Sequence, residues 1–103
     1  MTLRQKQSKF VRMVADLILW AYSNGYELTW GNALRCKQCP IGKANSLHKI
    51  GLAVDLNLFR DGKFLEGTND HQPLGEYWES IGGSWGGRFD DGNHYSLEHE
   101  GRK

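Results

Sequence analysis

A histidine and an aspartate lie seven residues apart in the middle of the chain, in a setting that suits a metal site. His48 and Asp55 belong to the run 46–55, which also contains Gly51 and Ala53. Glycine allows the backbone to turn before the aspartate, and the small alanine leaves room beside the carboxylate. Imidazole nitrogen and carboxylate oxygen are both good ligands for zinc. We therefore predict that His48 and Asp55 bind a metal ion.

A second histidine follows two acids near the end of the chain. Asp90, Asp91 and His94 come after a glycine-rich stretch. His94 would complete a set of two imidazoles and one carboxylate, which is a normal ligand set for a catalytic zinc that leaves its fourth position to water. Zinc lowers the pKa of that water to about 7, so hydroxide becomes available near neutral pH.

Hydrolysis by such a hydroxide also needs a carboxylate that accepts a proton and passes it to the leaving group. Asp91, three residues before His94, is placed to do this across a tight turn, and Asp90 competes for the role. Neighbouring side chains in an extended chain point to opposite sides. Only one of the two acids is therefore expected to face the metal, and spacing alone does not choose between them.

An arginine upstream could stabilise the oxyanion that forms when hydroxide adds to a carbonyl. Arg35 is the candidate that the order of segments brings near His48, and the alternative is a solvated loop arginine. Cys36 and Cys39 follow it as one C-x-x-C, which supplies only two of the four ligands of a structural zinc. We interpret them as two reduced loop cysteines, with a disulfide or a half-site completed by histidines as alternatives.

Strand periodicity must bring these side chains to one surface. Side chains alternate between the two faces of a strand, so Asp55 is expected to line a site while apolar neighbours are buried behind it. The predicted buried face consists of Leu52, Val54, Leu56 and Leu58, and the opposite face of Ala53, Asp55 and Asn57. The second run repeats this pattern: His94, Ser96 and Glu98 share one face, and Tyr95 and Leu97 share the other.

The remaining chain should supply supporting elements. They are an amphipathic helix over 3–23, a short strand over 26–30, a hairpin within 59–64, a connecting loop over 65–75 and a short helix over 76–81. We expect His71, in the connecting loop, and His99, in the C-terminal tail, to be exposed to solvent.

Composition narrows the class of protein. At 103 residues, with 39% hydrophobic and 24% charged residues, the chain is expected to form one globular domain, 1–103, rather than a disordered chain. The net charge of +1 gives no basic excess of the kind that marks nucleic-acid binders. No apolar run is long enough to insert into a membrane. We find no signal peptide and therefore expect the protein to be made in the cytoplasm. We also expect it to be a monomer.

The motifs resemble those of a known family. The pattern Ser46-x-His48-x-x-Gly51-x-Ala53-x-Asp55, with Trp85-Gly-Gly and Asp91-x-x-His94 downstream, is similar to the zinc D-Ala-D-Ala carboxypeptidases and L-alanyl-D-glutamate endopeptidases. That family includes bacteriophage endolysins and vancomycin-resistance dipeptidases and shares its fold with the signalling domain of Hedgehog proteins. The similarity covers about residues 26–97, and the segments 28–35 and 56–63 look most like the phage endolysin branch.

The resemblance implies a fold and roles for the residues. The fold would be α+β, a small antiparallel sheet carrying a zinc site and packed against helices, in agreement with the buried and ligand faces above. It implies His48, Asp55 and His94 as zinc ligands and favours Asp91 over Asp90 as the catalytic acid. It also implies that Arg35 acts in catalysis. Three residues would bind the substrate, namely Arg35, Ser46 and Trp85.

Three functions fit these expectations. The first is a zinc peptidase acting on peptidoglycan stem peptides in the bacterial cell wall, at the L-Ala–D-Glu bond, as a phage or prophage endolysin. The second, within the same chemistry, is a D,D-carboxypeptidase acting on D-Ala–D-Ala termini. The third is a zinc-stabilised binding module without catalysis, which the short spacing of twelve residues between Arg35 and His48 favours. Asp91 favours the enzyme, because a pure binding protein needs no carboxylate beside an open metal position.

Overall fold

The computed structural model describes residues 1–31 and 47–101, apart from the side chains of two residues in the second range. Those two residues are His48 and Lys49. Several predicted site residues therefore lie outside the described residues, namely Arg35, Cys36, Cys39, Ser46 and the side chain of His48.

The described residues contain two helices, five strands and three short 3₁₀ turns. The helices are α1 (Leu3–Ser23) and α2 (Gln72–Ser80), and the strands are β1 (Glu27–Trp30), β2 (Ala53–Arg60), β3 (Lys63–Leu65), β4 (Ser84–Trp85) and β5 (His94–Ser96). The first, second and third 3₁₀ turns span Leu47–Ile50, Thr68–His71 and Gly86–Phe89.

Helix α1 begins and ends with standard caps. The Thr2 side chain accepts a hydrogen bond from the backbone N–H of Gln5, and the Gln5 side chain accepts one from the backbone N–H of Thr2. Asn24 caps the other end and is followed by Gly25 in the left-handed conformation. The helix buries one face, formed by Phe10, Met13, Val14, Leu17 and Ala21. This helix was predicted with the same bounds, 3–23.

The strands of the described residues form one antiparallel sheet in the order β1-β2-β5-β4, with β3 also paired to β2. Strands β2 and β3 are joined by Asp61 and Gly62, which both have positive φ angles. Two such residues between paired strands match the right-handed twist of a hairpin, and the predicted hairpin is confirmed.

The sheet and the two helices enclose the hydrophobic core, so the predicted α+β fold with a small antiparallel sheet is confirmed. The predicted apolar face is buried: Val54, Leu56 and Leu58 of β2, and Leu52 just before it, all belong to the core. The indole of Trp78 on α2 joins this core to the sheet, because its N–H donates to the backbone carbonyls of Ser84 and Ser96 on the two neighbouring strands.

Three local expectations are wrong. Helix α2 begins at Gln72 rather than at residue 76, because Pro73 is compatible with the first turn of a helix. His71 is buried, with 2% of its surface exposed, because the second 3₁₀ turn folds back against β5. The side chain of His99 is 17% exposed, since the start of α1 lies against it and Lys6 Nζ is 3.0 Å from its Nδ1.

Within the described ranges, no helix combines the length and the apolar character needed to cross a bilayer.

Close packing of α2 against Trp85 gives a testable prediction. A Cβ atom added at Gly75 would overlap the indole ring of Trp85, which is itself buried. We expect Gly75→Ala to lower the free energy of unfolding by about 1–3 kcal/mol, because overpacking a buried contact forces atoms to shift. Urea denaturation of the two proteins measures this. An increase in stability of about 1 kcal/mol, as for an exposed helical glycine replaced by alanine, would contradict the packing described here.

Candidate active site

Asp55 and His94 face each other across two paired strands. The register of β2 and β5 places Ala53 opposite Ser96, Val54 opposite Tyr95 and Asp55 opposite His94. Asp55 Oδ1 lies 3.4 Å from His94 Nδ1, and the residues are 6% and 8% exposed. Two residues that are far apart in sequence and were both predicted to bind a metal thus lie side by side in a nearly closed site.

The distance between these two atoms suits a shared metal ion. Zinc binds nitrogen and oxygen at about 2.0–2.1 Å with tetrahedral geometry, which separates two ligand atoms by about 3.3 Å. The 3.4 Å between Asp55 Oδ1 and His94 Nδ1 agrees with that separation. It also permits a direct ion pair with a protonated imidazole, so the geometry fits zinc without requiring it.

The third predicted ligand lies on the turn that leads into β2. His48 belongs to the first 3₁₀ turn, which is joined to the start of β2 by a hydrogen bond from Leu52 N to Leu47 O of 2.9 Å. Gly51 has a φ of +73°, as the predicted turn before the strand requires. Among the side chains that the structure describes, no three His, Cys, Asp or Glu residues form a metal cluster. That search does not include the side chain of His48, whose role as a ligand stays a prediction.

Asp91 is held in place through its backbone. Its N–H donates to the carbonyl of Gly86 at 2.9 Å, and its own carbonyl accepts from the N–H of His94 at 3.0 Å. A Cβ atom on Gly86 would overlap the Asp91 carbonyl and lie 2.7 Å from His94 Cβ. The glycine is therefore needed for this close approach, which fixes Asp91 beside the strand that carries His94.

Asp90 and Asp91 have similar surroundings. Both are exposed, and both line the same cleft. Asp90 adopts the left-handed conformation with a φ of +60°, at the end of the third 3₁₀ turn. The choice of Asp91 as the catalytic acid therefore stays a prediction that rests on the resemblance of the Asp91-x-x-His94 pattern.

Trp85 is a buried anchor of this loop. It is 4% exposed, and its indole N–H donates to the carbonyl of Gly92 at 2.8 Å. Its ring packs so closely over Gly75 and Gly87 that neither could carry a Cβ atom without overlap. Trp85 thus holds the turn between Asp91 and His94 through its hydrogen bond to Gly92. The predicted contact of Trp85 with substrate stays a prediction.

A polar cleft of about 260 Å³ opens next to Asp91. One wall comes from Asn57 and Glu66 of the β2–β3 region, and another from Thr68 and His71 of the second 3₁₀ turn. The remaining wall is the segment 90–93. Asn57 continues the face of β2 that carries Asp55, as the alternation of side chains predicts. This cleft could hold a polar segment of a substrate beside the predicted catalytic acid.

His71, in the wall of the cleft, is a site residue that sequence analysis missed. Its Nδ1 lies 2.7 Å from the hydroxyl oxygen of Tyr95, the neighbour of His94 on β5. Burial lowers the pKa of His71, and the opposing effects of Asp70 and of a hydrogen bond to the backbone of Leu65 are smaller. Burial also raises the pKa of Tyr95 well above its ordinary value. No periodicity or motif around His71 distinguishes it from a solvated loop histidine.

The lowered pKa of His71 predicts a pH dependence of stability. In the unfolded chain the pKa of His71 is about 6.5, so between that value and the lower folded pKa the unfolded state binds more protons. The contribution of His71 to the free energy of unfolding should therefore be complete above about pH 6.5. It should be lost as the pH falls through the folded pKa of His71. Urea denaturation between about pH 5 and pH 8 should show a smaller fall for His71→Gln than for the wild type. Parallel pH profiles for the two proteins would contradict this environment for His71.

Comparison with known proteins identifies the family of this chain. A search of curated proteins found no match. A family model described as D-alanyl-D-alanine carboxypeptidase matches residues 41–97, which is more than half of the 103-residue chain. The matched segment contains His48, Asp55, Asp91 and His94, and it begins after Arg35. The chain belongs to the D-alanyl-D-alanine carboxypeptidase family of peptidases.

Proposed function

We propose that this protein is a zinc-dependent peptidase that cleaves the stem peptides of peptidoglycan at the L-Ala–D-Glu bond and acts as a phage or prophage endolysin. Membership of a peptidase family supports peptide hydrolysis. The observation that carries the proposal is the placement of Asp55 and His94, 3.4 Å apart, beside the turn that holds Asp91. The endolysin role rests on the similarity of segments 28–35 and 56–63 to that branch.

Zinc would be held by His48, Asp55 and His94. The separation of the Asp55 and His94 ligand atoms suits two corners of a tetrahedral site. The chemistry that zinc would supply in such a site is polarisation of the scissile carbonyl and a source of hydroxide near neutral pH. Burial of Asp55 and His94 in the sheet keeps both side chains oriented in advance, which is what a metal site requires.

Asp91 would accept a proton from the attacking water and deliver it to the leaving amine. This role needs a carboxylate that can reach both groups from a fixed position. The hydrogen bonds of the Asp91 backbone to Gly86 and His94 supply the fixed position, and the exposure of Asp91 leaves its carboxylate open to the cleft. Arg35 and Ser46 would bind the substrate from the segment before the first 3₁₀ turn, with Trp85 supporting the site.

A D,D-carboxypeptidase is the second candidate, and the description of the matching family favours it. The two activities differ in the part of the substrate that enters the cleft. A carboxypeptidase must recognise the free C-terminal carboxylate of D-Ala, whereas the endopeptidase must accept peptide on both sides of the cleaved bond. Incubating zinc-loaded protein with defined muropeptides and analysing the products by mass spectrometry separates them. Cleavage after L-Ala supports the endopeptidase, and loss of one D-Ala supports the carboxypeptidase.

The role of Asp91 has a matched control in its neighbour. We expect Asp91→Asn to lower kcat by at least about 100-fold, as loss of a general acid–base typically does, with zinc still bound. Asp90→Asn removes the same charge from the same cleft and should keep activity within a few-fold of the wild type. Hydrolysis of muropeptides and zinc content are measured for both variants. Full activity of Asp91→Asn, or equal losses in both variants, would contradict the assignment.

The proposed ligand set is tested by metal content. His48→Ala should lose stoichiometric zinc, because removing one of three protein ligands leaves the metal weakly held. His99→Ala is the control, since this histidine lies against Lys6 at the chain end rather than in the site. Zinc is measured by atomic emission after dialysis. Stoichiometric zinc in His48→Ala would show that the ligand set is wrong.

A further inference from the structure

We infer that His71 and Tyr95 are positioning residues for Asp91, acting through the second 3₁₀ turn, and this inference rests on the proposed function. Neither residue was expected to take part in the site. His71 forms part of the wall of the cleft beside Asp91, and Tyr95 follows His94 on β5. Their side chains meet inside the protein and join the wall of the cleft to the strand.

The contact between the two side chains is a buried hydrogen bond. His71 Nδ1 lies 2.7 Å from the Tyr95 hydroxyl oxygen, and both side chains are among the most buried in the described residues. His71 also forms a hydrogen bond with the backbone of Leu65. Because this bond raises the pKa of His71, the imidazole donates it and the Leu65 carbonyl accepts it. A neutral imidazole that donates to this carbonyl must accept from the Tyr95 hydroxyl. The pair is thus directional, with each polar group satisfied by a specific partner.

The His71–Tyr95 hydrogen bond fixes the position of the second 3₁₀ turn. This turn supports the loop that carries Asp91. Thr68, three residues before His71, packs against Gly92, where an added Cβ atom would lie 2.6 Å from the Thr68 Cα atom. The indole N–H of Trp85 also donates to the Gly92 carbonyl. The backbone next to Asp91 is therefore in contact with both Trp85 and Thr68, and a shift of Thr68 would loosen it.

Asp55 and His94, two of the proposed metal ligands, do not depend on the contact between Thr68 and Gly92 in this way. Asp55 and His94 are fixed by the β2–β5 register, and the Leu56 N–H donates to the Asn93 carbonyl at 3.0 Å at the end of that ladder. Losing the His71–Tyr95 bond should therefore disturb Asp91 more than the metal site. This separation distinguishes a positioning role from general support of the fold.

Tyr95→Phe removes only the hydroxyl group, and Tyr77→Phe is the matched control. Tyr77 lies on α2 and stacks on Trp20, on the helical side of the protein. We expect Tyr95→Phe to lower kcat for muropeptide hydrolysis by about 10- to 100-fold, the range for a misplaced catalytic group. Its zinc affinity, measured by chelator competition, should match that of the wild type, because the β2–β5 register still fixes Asp55 and His94. Tyr77→Phe should change neither quantity.

A second variant tests whether the two residues act together. His71→Gln should reproduce the loss in kcat, and the double variant should be no worse than the more affected single variant, since both changes break one bond. His71→Gln alone carries the test if Tyr95→Phe does not fold. Unchanged kcat per folded, zinc-loaded molecule in either single variant overturns the inference. So does a parallel loss of zinc affinity, which would indicate general damage to the site.

A readout that needs no activity separates this inference from the proposed function. If the wild-type protein hydrolyses no muropeptide, the proposed function fails, and amide hydrogen exchange then tests the positioning role. Exchange at Asp91, whose N–H donates to the Gly86 carbonyl, should be faster in Tyr95→Phe than in the wild type, while exchange at Val54 in the β2–β5 ladder stays unchanged. Unchanged exchange at Asp91 overturns the inference whether or not the protein hydrolyses muropeptides.

Discussion

The register between β2 and β5 is the constraint on which the site depends. Antiparallel pairing sets Asp55 directly opposite His94, and a shift by one residue would turn one of the two side chains into the core. The apolar residues that alternate with them prevent such a shift. Val54 and Tyr95 form the adjacent cross-strand pair, and both are buried on the other face of the sheet. Formation of the core and alignment of the two polar side chains are thus one event.

Two tryptophans connect that register to the rest of the molecule. Trp78 donates from α2 to carbonyls on β4 and β5, and Trp85 donates from β4 to the carbonyl of Gly92. Glycines at the points of contact allow the rings to approach the backbone, as Gly75 does beneath Trp85 and Gly83 beneath Trp78. Each ring therefore contributes both buried apolar surface and one oriented donor. In a chain of this size, such contacts hold the loop of Asp91 without additional secondary structure.

Polar groups near the site divide into two kinds. Asp90, Asp91 and Glu66 are exposed along the cleft, where water can stabilise their charges. His71 and Tyr95 are buried and satisfy each other as neutral groups, because burial disfavours the charged form of both. The exposed carboxylates are accessible from the cleft. The buried pair is suited to holding a fixed geometry near neutral pH, where neither of its members titrates.

Local sequence determined much of this protein. The bounds of α1 follow from apolar periodicity and from the Asn24-Gly25 stop, and the buried face of β2 follows from strict alternation around Asp55. The motif residues in 46–55 and 91–94 pointed to the family that the matching segment 41–97 supports. These features depend on neighbours within a few residues, which is why the pattern of the chain alone contains them.

Tertiary structure decided what depends on partners distant in sequence. His71 resembles an exposed loop histidine until Tyr95 meets it across the sheet, and His99 resembles a solvated tail residue until Lys6 lies against it. Trp85 belongs to a sequence motif, but its burial and the hydrogen bond from its indole N–H to the Gly92 carbonyl are set by packing. Burial and hydrogen bonding of a side chain are properties of the packed chain. They could not be obtained from spacing, because no local pattern specifies which distant backbone or ring will pack against a given residue.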